Sequence, residues 1–202
     1  ITSNIWVRTQ MVIAASAAQG CLALSGLRSA QMNDEQAEKV LSVLTSQRAH
    51  REFSSEPVPD EDIAKILTAA THAPSAENSQ PWEFIVVTDD KLRADLGELM
   101  RRAWDGGGRD ASRDALTADV FADVDRGLTG GIASAPVMIL CCADLNRTRK
   151  ETIGSSLFPA VQNLLVAATA LGYGSALTTI ATVFTHELRN LLGFPESVVP
   201  VD

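Results

Sequence analysis

The sequence is short of the residues that build metal and disulfide centres. Its 202 residues include three cysteines (Cys21, Cys141 and Cys142) and three histidines (His50, His72 and His186). An odd cysteine count with two adjacent members is no disulfide framework, and no CxxC or Cys/His spacing suggests zinc. The thiols read as those of a reduced, cytoplasmic protein. Aromatic residues make up 5% of the chain, little material for stacking single-stranded nucleic acid. Basic residues are outnumbered, 17 against 25 acidic, for a net charge of −8. That argues against general nucleic-acid binding, whose affinity comes from clustered Lys and Arg, and leaves room only for a local basic pocket. Eight prolines and 13 glycines are too few for a disordered or collagen-like chain. Long apolar runs are also missing. The stretch Met11–Leu27 is interrupted by Gln19 and Gly20 and falls short of the ~18 continuous apolar residues of a membrane helix. Read as a signal peptide starting at Met11, it lacks a basic flank.

What is present is an ordinary globular composition, 46% hydrophobic and 21% charged, with the length of one domain. Met32 reads as the natural start. Residues 1–31 are then an extension without function, and the domain spans 32–202 with an incomplete C-terminus.

Apolar spacing of 0, 3, 4 and 7 predicts a helix over Asp34–Thr45 (Ala37, Val40, Leu41, Leu44) and a second one carrying Ile63, Ile66, Leu67 and Ala70. Pro59 is expected in the first turn of that second helix, which must end before Pro74. Glu83–Val87 reads as a buried strand. A helix opened by Asp89 and Asp90 carries Leu92, Leu96, Leu99 and Ala103 and is expected to break at Gly106–Gly108. Residues 109–127 read as a polar, mobile excursion. Pro136–Cys142 is the most apolar strand, with Cys141 and Cys142 as core thiols. A long helix over Ile153–Leu171 turns its Leu157, Val161, Leu164, Leu165, Ala168 and Leu171 inward and stops at Gly172. Ser175–Thr179 reads as a small-residue strand. Thr185 is expected to cap a short helix ending at Gly193, and Ser197–Val201 reads as a last strand. With no regular βαβ repeat, the class is α+β, a mainly antiparallel sheet packed by helices.

Three segments could carry chemistry. In Gln47–Phe53, Arg48 and Arg51 stand three apart at a helix end. They either grip a phosphate as planar forks or lie on a solvated helix end. Ala73–Trp82 is a loop of two prolines with hydroxyl and amide side chains between them. It is either the rigid rim of a flat heteroaromatic ligand or a plain helix-to-strand connection. Leu171–Thr179 contains GxG, but it follows a helix and has Leu177 at the third-glycine position, so a Rossmann reading fails. No phosphate-loop or GxSxG pattern occurs. His72 is a general-acid candidate or a polar helix end.

These residues resemble a known family. Arg48-x-x-Arg51-x-Phe53, the element Pro74-Ser75-x-x-Asn78-Ser79-Gln80-Pro81-Trp82, Gln162-Asn163-Leu164-Leu165 and Leu171-Gly172-Tyr173-Gly174 together are similar to the FMN-dependent nitroreductases, over about residues 36–202. The resemblance implies a nitroreductase-like sandwich and an intertwined homodimer with FMN at its interface. It implies that Arg48, Ala49, His50 and Arg51 hold the phosphate, ribityl chain and pyrimidine edge. Gln47 and Ala49 stand where the family often carries Arg and Ser. Arg51 would sit near flavin N1 and O2 and stabilise the anionic reduced ring. Pro74, Ser75, Ala76 and Asn78 would touch the ring from the other subunit, and the backbone of Thr178 and Thr179 would approach N5. No side chain is implied as catalytic. The flavin carries a ping-pong hydride transfer from NAD(P)H to a nitroaromatic or quinone-type oxidant. The family also holds other flavin chemistries, dehalogenating or flavin-fragmenting. An inactive flavin-binding fragment is the third reading.

Overall fold

The computed structural model describes residues 32–200. The expected extension 1–31, with Cys21 in it, and residues 201–202 lie outside the described residues.

Helix α1 spans Asp34–Ser46 and opens with a capping box. Asn33 Oδ1 accepts from the Gln36 amide at 2.8 Å, and Gln36 Oε1 accepts from the Asn33 amide at 3.0 Å. Two otherwise orphaned helix N–H groups are thereby satisfied. Its apolar stripe is not covered by the described residues: Val40, Leu41 and Leu44 are exposed, Leu41 by 55%. Helix α2 (Asp60–Thr71) buries Ile63, Ile66, Leu67 and Ala70, as its periodicity requires. Pro59 takes the cap position rather than the first turn, with extended ψ of 140°.

Strand β1 (Trp82–Val87) pairs antiparallel with β2 (Met138–Asp144), and β2 pairs antiparallel with β3 (Val198–Pro200). Both faces of the sheet are covered, and β1 and β2 are apolar apart from Glu83 and Asp144. Trp82, Phe84, Val86, Ile139, Cys141 and Ala143 face α2 and the long helix α6 (Ile153–Ala170). Ile85, Val87, Met138, Leu140 and Cys142 face α3 (Asp90–Ala103) and a short helix, α7 (Thr185–Leu192). This is the expected α+β sandwich. Leu157 and Ala160 of α6 are fully buried, and burying a Leu of this kind contributes about 1.5–3 kcal/mol. Burial lifts the Cys141 thiol up to about 12 and raises the Cys142 thiol too, so both are inert core groups. Helix α6 is the one described helix long and apolar enough to cross a membrane, and here it packs against the sheet and α2.

Helix α6 ends as glycine dictates. Gly172 adopts φ 88°, and the amides of Gly172 and Tyr173 return to Thr169 O and Ala168 O. This double bond pattern closes the last turn. Leu171, expected inside, is exposed because it already lies in that turn. Gly193 ends α7 in the same left-handed region, at φ 67°.

Other expectations change. Ser175–Thr179 is not a strand. It makes a single parallel bridge, Ser175 to Ala49, because the segment beside it diverges after one residue pair. Thr185 is the first residue of α7, whose cap position is Phe184. The Thr185 hydroxyl donates back to Thr182 O instead. Gly106–Gly108 does not end the helical path. Trp104–Gly108 forms one wide turn, with Gly107 at φ 135°, and the chain continues into α4 (Arg109–Arg113). The expected excursion is largely helical, with α5 over Ala118–Arg126. It is tied to the core through Trp104, whose Nε1 donates to Asp125 at 2.8 Å and whose ring packs on Phe121 at 6.0 Å.

Candidate functional site

The basic segment after α1 is held on both sides. On one side, the His50 amide donates to Ser175 O at 3.0 Å, and a Cβ on Gly174 would come within 2.9 Å of the His50 ring. On the other, a Cβ on Gly131 would sit 2.2 Å from Arg51 O, and one on Gly127 would sit 2.8 Å from Arg51 Cβ. Ser134 Oγ donates to Phe53 O at 3.2 Å. The fold thus brings Ala49 and His50 against Gly174 and Ser175, joining two of the three candidate regions.

The side chains in this wall differ in what they are free to do. Arg48 is exposed and folds back on the end of α1, donating to Thr45 O at 2.8 Å and Gln47 O at 2.7 Å. A cation at a helix C-terminus complements the dipole, so the helix-end role is realised. Arg48 nevertheless meets no carboxylate among the described residues. Arg51 is largely covered and pairs with Asp123 of α5. Ala49 and His50 are exposed. Thr178 and Thr179 are exposed too, and their backbone N–H groups make no hydrogen bond among the described residues. Ser175 Oγ is buried there without a partner, which is costly unless a ligand or water supplies one.

The third region lies elsewhere in the chain. Pro74 and Asn78 are exposed, Ser75 and Ala76 half-buried. Ala76 to Asn78 form a single 3₁₀ turn. Glu77, Asn78 and Gln80 hold left-handed φ of 54°, 54° and 46°. Such geometry costs about 1–2 kcal/mol per non-glycine residue and concentrates at functional sites. The loop is over-determined. Ser75 Oγ accepts from the Gln80 amide at 3.0 Å, and Asn78 Oδ1 accepts from Gln80 Nε2 at 2.9 Å. The Ala76 amide donates to Ser156 Oγ at 3.1 Å, and Ser156 is fully buried. Arg147 reaches Gln80 O at 2.9 Å, and Arg149 pairs with Glu77 at 2.8 Å. An open depression of about 440 Å³ lies beside the loop, lined by Ala76, Glu77, Ser79, Arg147 and Arg149. It shares no residue with the Arg48–Arg51 wall. No hydrogen bond or ion pair among the described residues joins the loop to that wall. His72 bonds its own helix, its Nδ1 lying 2.8 Å from Thr68 O, which fits the polar helix end.

Three positioning residues escaped the sequence reading. Ser156 anchors the loop, and Asn163 Nδ2 ties α6 to α2 by donating to Ala69 O at 3.1 Å. Asp123 holds Arg51 across 72 positions. Only Asn163 lay in a noted motif. Nothing local marks the other two.

Comparison with known proteins places this architecture. The family model of the Nitroreductase family matches residues 44–201. "Putative NADH dehydrogenase/NAD(P)H nitroreductase" of Archaeoglobus fulgidus is 32% identical over 169 residues, covering 80% of each chain. FMN reductase [NAD(P)H] of Bacillus subtilis is 26% identical over 170 residues, 80% of this chain and 58% of that protein. Among solved structures, a nitroreductase of Desulfovibrio desulfuricans in complex with FMN superposes with a TM-score of 0.61 at 27% identity, covering 80% of each chain. The chain belongs to the nitroreductase family, and that membership makes it a flavin-type oxidoreductase.

Proposed function

We propose that the protein is an FMN-dependent NAD(P)H oxidoreductase, a cytoplasmic homodimer that reduces nitroaromatic or quinone-type acceptors. NAD(P)H and the acceptor take the same place in turn. The observation that carries this reading is the wall itself: Arg48, a guanidinium with no carboxylate partner among the described residues, next in the chain to the Ala49–Ser175 bridge with its unpartnered buried Ser175 hydroxyl, and the unbonded N–H groups of Thr178 and Thr179 further along that segment. Those donors fit a ligand with a phosphate, a polyol chain and a hydrogen-bonding ring edge. FMN, when bound, supplies the two-electron centre that accepts from NAD(P)H and passes the electrons on.

The protein's part is to bind and orient. Arg48 is placed to receive the phosphate as a planar fork, with Ala49 and His50 lining the chain behind it. Arg51 brings a fixed positive charge to the pyrimidine edge, where negative charge accumulates on reduction. Thr178 and Thr179 offer backbone donors toward N5. The strained loop of Pro74, Ser75, Ala76 and Asn78 is separate from this wall, so it would complete the site from the partner subunit. The uncovered stripe of α1, with Leu171, Leu177 and Val183 also exposed, supplies apolar surface for that partner.

The test is the visible spectrum of the purified chain with added FMN, followed by anaerobic NADPH. The flavin band is expected to bleach, and to be restored by a quinone. Arg51→Ala is expected to weaken FMN binding and to slow the bleaching by ~10-fold or more, the size of a lost charged hydrogen bond of about 1.5–3 kcal/mol. A wild-type chain that retains no FMN overturns the proposal.

A further inference from the structure

Residues 123–134 are built onto Arg51 more closely than a covering segment requires. Gly127 and Gly131 leave no room for a side chain against it, Ser134 bonds Phe53 O, and Arg126 Nε pairs with Glu52 at 3.0 Å. Helix α5 carries two half-exposed carboxylates in ion pairs, and they do different work. Asp125 accepts from Trp104 Nε1 and pairs with Arg109 at 2.7 Å, so it fastens the helix to the core. Asp123 bonds neither Trp104 nor Arg109. It pairs with the Arg51 guanidinium through one oxygen, and Arg126 Nη2 lies 3.2 Å from the other.

We propose that Asp123 is a positioning residue for the flavin site: it fixes the direction of the Arg51 guanidinium and tempers the charge that Arg51 presents to the bound ring. This rests on the assignment of Arg51 to the FMN pocket. Opposite charges in contact partly cancel the field each projects. Removing the carboxylate charge while keeping its shape therefore strengthens Arg51's pull on negative charge and favours the reduced cofactor. The acidic helix α5 sets the redox poise of a pocket in which it supplies no direct ligand.

The test compares the two-electron midpoint potential of bound FMN in the wild type, Asp123→Asn, Asp123→Ser and Asp123→Glu, and repeats the first pair in an Arg51→Met background. Asp123→Asn and Asp123→Ser are expected to raise the potential by a tenfold change in the oxidised–reduced equilibrium, about 30 mV for two electrons. Asp123→Glu is expected to return it toward the wild-type value. In the Arg51→Met background the Asp123→Asn shift is expected to vanish, which isolates the coupling between the two residues. A potential unchanged by both Asn and Ser overturns the inference, as does an equal shift in the Arg51→Met background. A wild type that binds no FMN fails the functional reading first. FMN bound at normal affinity with an unmoved potential fails this inference alone. Should Asp123 only fasten α5, the apo protein's melting temperature would fall in Asp123→Asn while the potential stayed fixed.

Discussion

Replacing Gly131 by alanine sets two effects of opposite sign against each other. Gly131 has helical angles, φ −61° and ψ −40°. At such a position alanine stabilises by about 0.4–1 kcal/mol, because it restricts the unfolded chain. The added Cβ, however, would lie 2.2 Å from Arg51 O. Relief needs a shift of about an ångström, since carbon–oxygen contacts settle near the ~3.5 Å of ordinary packing. Arg51 O has little freedom to move, being held between the His50–Ser175 bond and the Ser134–Phe53 bond. Overpacking of this kind costs about 1–3 kcal/mol, and a backbone neighbour puts it at the upper end. The contact wins, for a net loss of about 2 kcal/mol. In a chain of this size that lowers Tm by roughly 4–8 °C, at about 2–4 °C per kcal/mol. Gly106→Ala, where nothing lies within 4 Å of the added Cβ, is the control and should raise Tm slightly. Thermal unfolding followed by circular dichroism measures both. An unchanged or raised Tm in Gly131→Ala would refute the close apposition of the two segments.

Tyr173 donates to Asp62 at 2.7 Å, and that bond, followed by Lys65, holds the Asp62 carboxyl below its ordinary 3.8. A depressed carboxyl stabilises the fold above its unfolded value and loses that contribution as pH falls through the folded value. Tyr173→Phe should therefore lower Tm at neutral pH, with the gap to wild type closing below pH 3.8; a gap that persists in acid refutes the pairing. Leu41→Asp in the uncovered stripe of α1 should yield monomers by sedimentation analysis and, with them, loss of FMN. A dimer that survives it places the interface elsewhere. Cys141 and Cys142, raised by burial, should resist alkylation in the native state and label fully in denaturant, as peptide mapping would show.

Several elements were legible because their causes are local. The 0, 3, 4, 7 spacing found α1 and α2, the apolar face of Ile153–Leu171 placed α6 to within a residue, and the inward residues of α2 and α6 are buried as read, Leu171 apart. Asp89 caps α3 as expected, accepting from the Leu92 amide at 2.9 Å. Gly172 and Gly193 end their helices because left-handed backbone there favours a residue without Cβ. The loop from Pro74 to Trp82 was visible as an unusual run of prolines, hydroxyls and amides. Its three left-handed residues were not, because they are imposed by Ser156, Arg147 and Arg149 from distant segments.

What depended on distant partners could not be read from neighbours. Ser175–Thr179 has strand-like composition, but a strand exists only where a partner runs alongside, and Ala49 supplies one bridge. Residues 109–127 have weak periodicity, yet the core gives α5 its seat through Trp104 and Asp125. The apolar stripe of α1 shows which face wants burial and not what buries it. Sequence alone thus determined α1, α2, α3, α6 and α7, the three strands of the sheet and the motifs that mark the family, all written in local spacing and side-chain type. Tertiary structure alone decided that Arg51 meets Asp123 and that the basic wall stands apart from the polar loop. Those are relations between groups tens of residues apart, set by how the sheet and helices pack.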